Sequence, residues 1–245
     1  MAEARARSLS RTSRSSMRAL HRRNIELASR LDNVRLSALV TPDARVAGTG
    51  QTAMMFIVTG ASGSGKSACL PGLRATFPSI DWRDFDEFGV PSPCPRGWRP
   101  RTTERWLQVA LNNHLNGRDT GLVGGAIMGE ILACPSAPQN EICVALLDCH
   151  DVVRLDRLRM RGTHGATQEM LSWAAWQRVH AVDPQWRQDV ICNLDLDDMR
   201  WERWTSWHRG DQRWRVHAID TTELRIDQVV ERIASWMRAE QLTRN

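Results

Sequence analysis

From residue 54 onward, short apolar runs alternate with stretches in which apolar residues recur every three or four positions. Met54–Thr59 reads MMFIVT, uninterrupted and partly β-branched, as expected of a strand buried on both faces. Comparable runs predict strands over residues 80–85, 121–128, 142–147 and 214–219. Helical periodicity predicts helices over 67–77, 102–116, 152–161, 168–181 and 224–238. In the first of these, Pro71-Gly72 should bend or weaken the second turn. Such alternation predicts an α/β protein: a five-stranded parallel sheet in an α/β/α sandwich, covered by helices on both faces. There is no internal repeat, and no apolar run reaches the roughly 18 residues of a membrane span.

The first 53 residues follow different rules. Residues 1–19 are rich in Arg, Ser and Ala, a composition of disorder, while Leu20, Leu27, Leu31, Val34 and Ala38 fit a helix over 20–39. Residues 1–53 carry ten arginines against four acids, which accounts for the whole basic excess of the chain. Three readings stand: a basic arm for an acidic partner, a solvated extension, or a start set upstream of Met54-Met55. Residues 54–245 are nearly charge-balanced, long enough for one core, and argue against nucleic acid as a partner. The six cysteines (Cys69, Cys94, Cys134, Cys143, Cys149, Cys192) form no C-x-x-C pair and follow no secretion signal, so reduced thiols and a cytoplasmic location are expected.

Of 33 basic residues only one, Lys66, is lysine. It lies in Gly60-Ala61-Ser62-Gly63-Ser64-Gly65-Lys66-Ser67, immediately after the first strand. The spacing G-x-x-x-x-G-K-[ST] lets backbone N–H groups turn inward toward phosphate oxygens and sets the loop at a helix N-terminus. Gly60, Ser62, Gly63, Ser64, Gly65, Lys66, Ser67 and Ala68 are therefore expected to cradle the phosphates of ATP. Lys66 reaches the β- and γ-phosphates, and the Ser67 hydroxyl ligates Mg²⁺.

With these residues the chain resembles P-loop kinases of the nucleoside-monophosphate and shikimate kinase type, over about residues 54–240. The second predicted strand ends in Asp84-Phe85-Asp86-Glu87. In the shikimate-kinase-like branch a D-x-D there serves the metal and the acceptor hydroxyl. The resemblance implies Asp84 as a metal-side residue and Asp86 as the base that takes the acceptor proton, with the reverse order left open. The third strand runs into Gly124-Gly125 without an acidic Walker B residue, which argues against motor ATPases. Arg157 and Arg161, four apart, share a helix face with Arg154. By resemblance this pair opens a lid over about 162–168, one arginine stacking on adenine and the other approaching the phosphates. Asp220-Thr221 matches a step near the adenine in relatives, though both residue types are also common helix caps.

Arg96, Arg99, Arg101 and Arg105 lie in the region that takes the acceptor in such kinases; a charged acceptor and a solvated basic loop account for them equally well. Trp98 and Trp106 are read either as pocket walls or as core. The spacing of Trp201, Trp204 and Trp207 favours the packing of an α-helical insertion. Glu130 receives no role, and His114, His150, His164, His180 and His208 show no metal-ligand spacing. Two functions follow: an ATP- and Mg²⁺-dependent kinase of a small-molecule acceptor, with Lys66, Asp84, Asp86, Arg157 and Arg161 as its catalytic set, or a nucleotide-dependent regulatory module with little transfer activity.

Overall fold

A computed structural model of the chain describes residues 54–162, 165–192 and 196–243. The reading of 1–53, its helix over 20–39 included, lies outside them. The strands β1 (Met54–Thr59), β2 (Asp81–Asp84), β3 (Thr120–Gly124), β4 (Glu141–Asp148) and β5 (Val216–Asp220) form one sheet in the order β2-β3-β1-β4-β5. All four pairings are parallel. The helices are α1 (Lys66–Thr76), α2 (Trp98–Leu115), α3 (Met128–Ala133), α4 (Asp151–Arg161), α5 (Gln168–His180), α6 (Asp189–Cys192) and α7 (Ile226–Leu242).

The central strand shows why a continuous apolar run was needed. Every residue of β1 is buried, with Ile57 aligned between Leu122 of β3 and Val144 of β4. Met55 and Ile57 enter one core with Trp106 and Leu107 of α2, Ile131 of α3 and Trp176 of α5. Met54, Phe56 and Val58 enter the other, with Leu70 and Leu73 of α1 and Ile233 and Met237 of α7. Period-two alternation thus divides one strand between two helical layers. The chain moves from β1 toward β2, then crosses back to β4, so strand order reverses at β1. A crevice opens at the carboxyl edge of the sheet at such a switch point, the usual ligand position in open α/β sheets.

Two elements depart from expectation. The third strand stops at Gly124, and residues 128–133 form α3 instead of continuing it. A Cβ at Gly124 would lie 2.1 Å from the Cβ of Phe85, so the chain passes hard against the end of β2 before turning away. The Trp-rich segment is not an α-helical insertion. Trp201–Arg203 make a single 3-10 turn, and the segment is held by its rings. Trp204 is fully buried and lies 5.2 Å from Trp214, while His180 stacks on Trp176 at 4.5 Å. Edge-to-face and stacked ring pairs add to the burial of so much aromatic area. α1 continues through Pro71. Among the described residues no helix is long and apolar enough to cross a membrane.

Candidate functional site

The glycine-rich loop leaves β1 at Gly60 and enters α1 at Lys66. Gly60 is required by close approach: a Cβ there would lie 2.4 Å from the Leu147 carbonyl oxygen and 2.7 Å from Ser64 Oγ. The loop folds back through a Ser64 N–H to Ala61 C=O hydrogen bond of 3.2 Å. The Gly63 and Gly65 N–H groups donate to no protein acceptor among the described residues. Both glycines have positive φ, +82° and +95°, conformations that other residues rarely adopt. Ser67 and Ala68 are exposed in the first turn of α1, where the helix dipole favours an anion.

Lys66 is the electrostatic centre. Burial, the Arg161 guanidinium and, less strongly, Arg154 push its ammonium down to about 8, against the opposing pull of Asp86 and Asp84. The sequence-predicted Asp84, Asp86 and Arg161 therefore each lie within electrostatic reach of Lys66. Asp84 caps the 3-10 turn Phe85–Phe88: its Oδ1 accepts from the Asp86 N–H at 2.9 Å, and Glu87 Oε1 accepts from the Asp84 N–H at 2.9 Å. This reciprocal cap fixes where both aspartates stand. Asp86 is exposed, and partial desolvation together with Asp84 raises its carboxyl above the ordinary value, with Lys66 opposing. Glu87 is engaged with Arg74 and Arg83, which leaves the two aspartates as the carboxylates facing Lys66.

The arginines of α4 divide their tasks. Arg157 Nη1 donates to the Gly63 carbonyl at 3.3 Å and to Thr221 Oγ1 at 3.1 Å, and its Nη2 donates to the Thr221 carbonyl at 2.7 Å. It thus ties the phosphate loop to the segment after β5. Arg154, which sequence placed only on the same face, is fully buried and bonded to the Ser62 carbonyl and to Asp148. Arg161 is exposed near the end of the helix. α4 closes at Gly162 and α5 opens at Gln168; of the segment between them, Thr163 and His164 lie outside the described residues.

On the acceptor side the four arginines are not equivalent. Arg99 makes two hydrogen bonds of 2.7 Å to Glu130 and lies 4.7 Å over the Trp173 ring. Arg105 lies 3.9 Å over Phe88. Arg96 and Arg101 are the more exposed of the set. Trp106 belongs to the core and donates to the Phe85 carbonyl at 3.1 Å, whereas Trp98 is half-buried against Phe85. Sequence reasoning gave Glu130 no role and placed Thr221 only in a step near the adenine. Thr221 does not cap a helix, because α7 begins at Ile226 behind Arg225. It is buried, and its Oγ1 lies 2.9 Å from the Ser64 carbonyl. Its signal was present in the Asp220-Thr221 step and was diluted by the commonness of those residues at caps.

A glycine-rich loop joins the central strand β1 to α1, and Asp84 and Asp86 stand at the end of β2, with β3 lying between the two strands. No protein-family model matches the chain, and no curated protein matches it in sequence. Solved structures do. A sugar kinase from Janibacter sp. superposes with a TM-score of 0.50 at 14% identity, covering 76% of this chain and 95% of that one. A gluconokinase from Sinorhizobium meliloti gives 0.44 at 16% identity, over 79% of this chain and 97% of that one. A shikimate kinase from Acinetobacter baumannii in complex with shikimate gives 0.43 at 12% identity, over 78% and 96%. The first likeness is one of fold: this chain has the three-layer α/β/α fold with a parallel five-stranded sheet that P-loop kinases share.

Proposed function

We propose that the protein is an ATP-dependent kinase acting on a small molecule, with residues 54–245 as its kinase domain. One observation carries this reading: the loop from Gly60 to Ser67, which holds the sole lysine, joins the central strand to α1, and Asp84, Asp86 and Arg161 lie within electrostatic reach of that lysine. The residues fit a nucleoside triphosphate. The Gly63 and Gly65 N–H groups and the α1 N-terminus supply neutral donors, and Lys66 and Arg161 supply charge. The donor set also fits Mg²⁺. Ser67 is exposed beside the loop, Asp84 is near Lys66, and this metal takes few protein ligands beside phosphate and water. Bound there, the metal supplies neutralisation of phosphate charge.

Asp86 takes the proton of the acceptor hydroxyl as the new O–P bond forms and the bond to the β-phosphate oxygen breaks. Its raised pKa brings its basicity closer to working pH than an isolated aspartate. Lys66 and Arg161 hold the charge that develops on the transferred group. Arg157, fixed by the Thr221 carbonyl, stands where the loop meets the β5–α7 segment and orients the nucleotide end distal to the transfer. Arg96 and Arg101 remain to meet the acceptor, and an acceptor bearing a carboxylate or phosphate suits them.

The test is ADP release by the full chain with ATP, magnesium and a panel of polyols, sugar acids, hydroxy acids and nucleoside monophosphates. The kinase reading predicts that at least one class accelerates release at least tenfold and that Asp86→Asn abolishes the acceleration. Tight ATP binding with no acceleration by any compound would favour the regulatory module instead.

A further inference from the structure

The phosphate loop is gripped from behind, and each grip falls on a carbonyl. Arg154 Nη1 donates to the Ser62 carbonyl at 2.7 Å. Arg157 Nη1 reaches the Gly63 carbonyl at 3.3 Å, with Cys149 Sγ 3.7 Å from the same oxygen. Thr221 Oγ1 lies 2.9 Å from the Ser64 carbonyl and 3.0 Å from that of Asp148, and shares its one proton between them. Three successive peptide units are thus fixed by groups from α4, the end of β4 and the segment after β5.

In a planar trans peptide the C=O and the following N–H point in opposite directions. Drawing the Ser62 carbonyl toward Arg154 therefore turns the Gly63 N–H the other way. The Thr221 contact does the same for Gly65. Neither amide donates to a protein acceptor among the described residues, which is equally true of the Ser62, Lys66 and Ser67 amides of the same loop. Holding such donors in place beforehand avoids the reorganisation that an anion would otherwise have to induce.

Packing alone does not account for Arg154. It is 0% exposed, and burying a guanidinium costs several kcal/mol that a methionine of similar length avoids. Its charge is met by Asp148 at 2.5 Å, and Asp148 also receives Arg178 of α5. The loop sits directly on the arginine stem: a Cβ at Gly63 would lie 3.1 Å from Arg154 Cγ.

We propose that Arg154 and Thr221 are positioning residues that preset the phosphate loop, each pinning one carbonyl so that the Gly63 and Gly65 amides face a bound phosphate. This rests on the reading of the loop as a triphosphate site and adds residues that touch no substrate. Both pins act on the phosphate donors, so losing either must weaken inorganic triphosphate as well as ATP; for Arg154 the factor is the same, whereas Thr221, which also accepts from Arg157, adds a further loss for ATP.

The test is calorimetric titration of the full chain with magnesium tripolyphosphate and with Mg·ATP, in wild type, Arg154→Met and Thr221→Val. Arg154→Met leaves Asp148 paired with Arg178, so it strands no carboxylate. The expected result is an increase in Kd of about tenfold or more for both ligands in both variants, with the acceptor KM unchanged. Amide spectra should show the Gly63 and Gly65 resonances moving while those of the sheet stay in place. Unchanged affinity in Thr221→Val, or a loss for ATP without one for tripolyphosphate, overturns the inference. Should Arg154→Met fail to fold, Thr221→Val decides alone. If wild type binds neither ligand, the triphosphate reading itself is wrong, a result distinct from binding that is insensitive to the pins.

Discussion

Arg99 of α2 and Glu130 of α3 meet through two parallel hydrogen bonds, both 2.7 Å, with Glu130 fully buried. The pair joins the helix on the acceptor side to the turn that follows β3. The Arg99 guanidinium also covers the Trp173 ring at 4.7 Å, which brings in α5. Breaking one half leaves a buried charge without its partner. Arg99→Met, which strands the fully buried Glu130 carboxylate, should destabilise the protein by about 3–5 kcal/mol. The double replacement Arg99→Met/Glu130→Met should recover most of that loss. Urea denaturation of both variants checks the prediction, and an equal loss in single and double variants would contradict it.

Asp86 is read as the proton acceptor because its carboxyl is raised and lies near Lys66. Asp86→Asn should lower kcat by about 10²- to 10⁴-fold while leaving the KM for ATP within a few-fold. Asp84→Asn should instead raise the magnesium concentration needed for half-maximal activity. Steady-state kinetics over a magnesium series separate the two roles, and exchanged phenotypes would reverse the assignment.

Desolvation and the nearby Arg161 guanidinium push the half-buried Lys66 ammonium down to about 8, below the ordinary lysine value. The cation is therefore present at neutral pH and is lost as pH rises through 8. Triphosphate affinity should fall by about tenfold per pH unit above that point, and binding there should take up a proton as phosphate restores the charge. Titrations in two buffers of different ionisation enthalpy measure the uptake. Constant affinity from pH 7 to 9.5 would show that Lys66 is not the group gripping the phosphates.

His180 is buried among Trp176, Trp204 and Trp214, and burial pushes its imidazole down to about 4. The unfolded chain takes up a proton near pH 6.5 and the folded chain only near 4, so this site costs stability as pH falls between those values. The loss from pH 7.5 to 5 should be about 2 kcal/mol. His180→Phe should remove that part of the acid sensitivity while keeping the ring stack. Denaturation curves at the two pH values test it; equal acid sensitivity in both proteins would contradict it.

Much of the scaffold was legible because local and global patterns agree. MMFIVT at 54–59 is a central buried strand by composition, and the glycine-rich loop follows it at once. The Asp84-Asp86 step was legible as the end of a strand, but not the reciprocal cap by which Asp84 opens the 3-10 turn that carries Asp86. What stayed hidden depends on tertiary proximity. α3 was hidden because its apolar residues continue the run of β3, and only the crowding of Gly124 on Phe85 shows why the strand ends. Trp201, Trp204 and Trp207 imitate a helical period, yet ring contacts across the chain set their positions. Arg154 looks in sequence like any surface arginine; its burial follows from the loop carbonyl and the Asp148 carboxylate that meet it.

The central claim is that the loop from Gly60 to Ser67 binds a nucleoside triphosphate with the help of Lys66. Equilibrium dialysis of the full chain against labelled ATP with magnesium, wild type beside Lys66→Ala, tests it directly. The account predicts saturable binding of one ATP per chain, weakened about 10²-fold or more in the folded variant. No saturable binding of ATP or GTP by wild type, or equal binding by the two proteins, would contradict it.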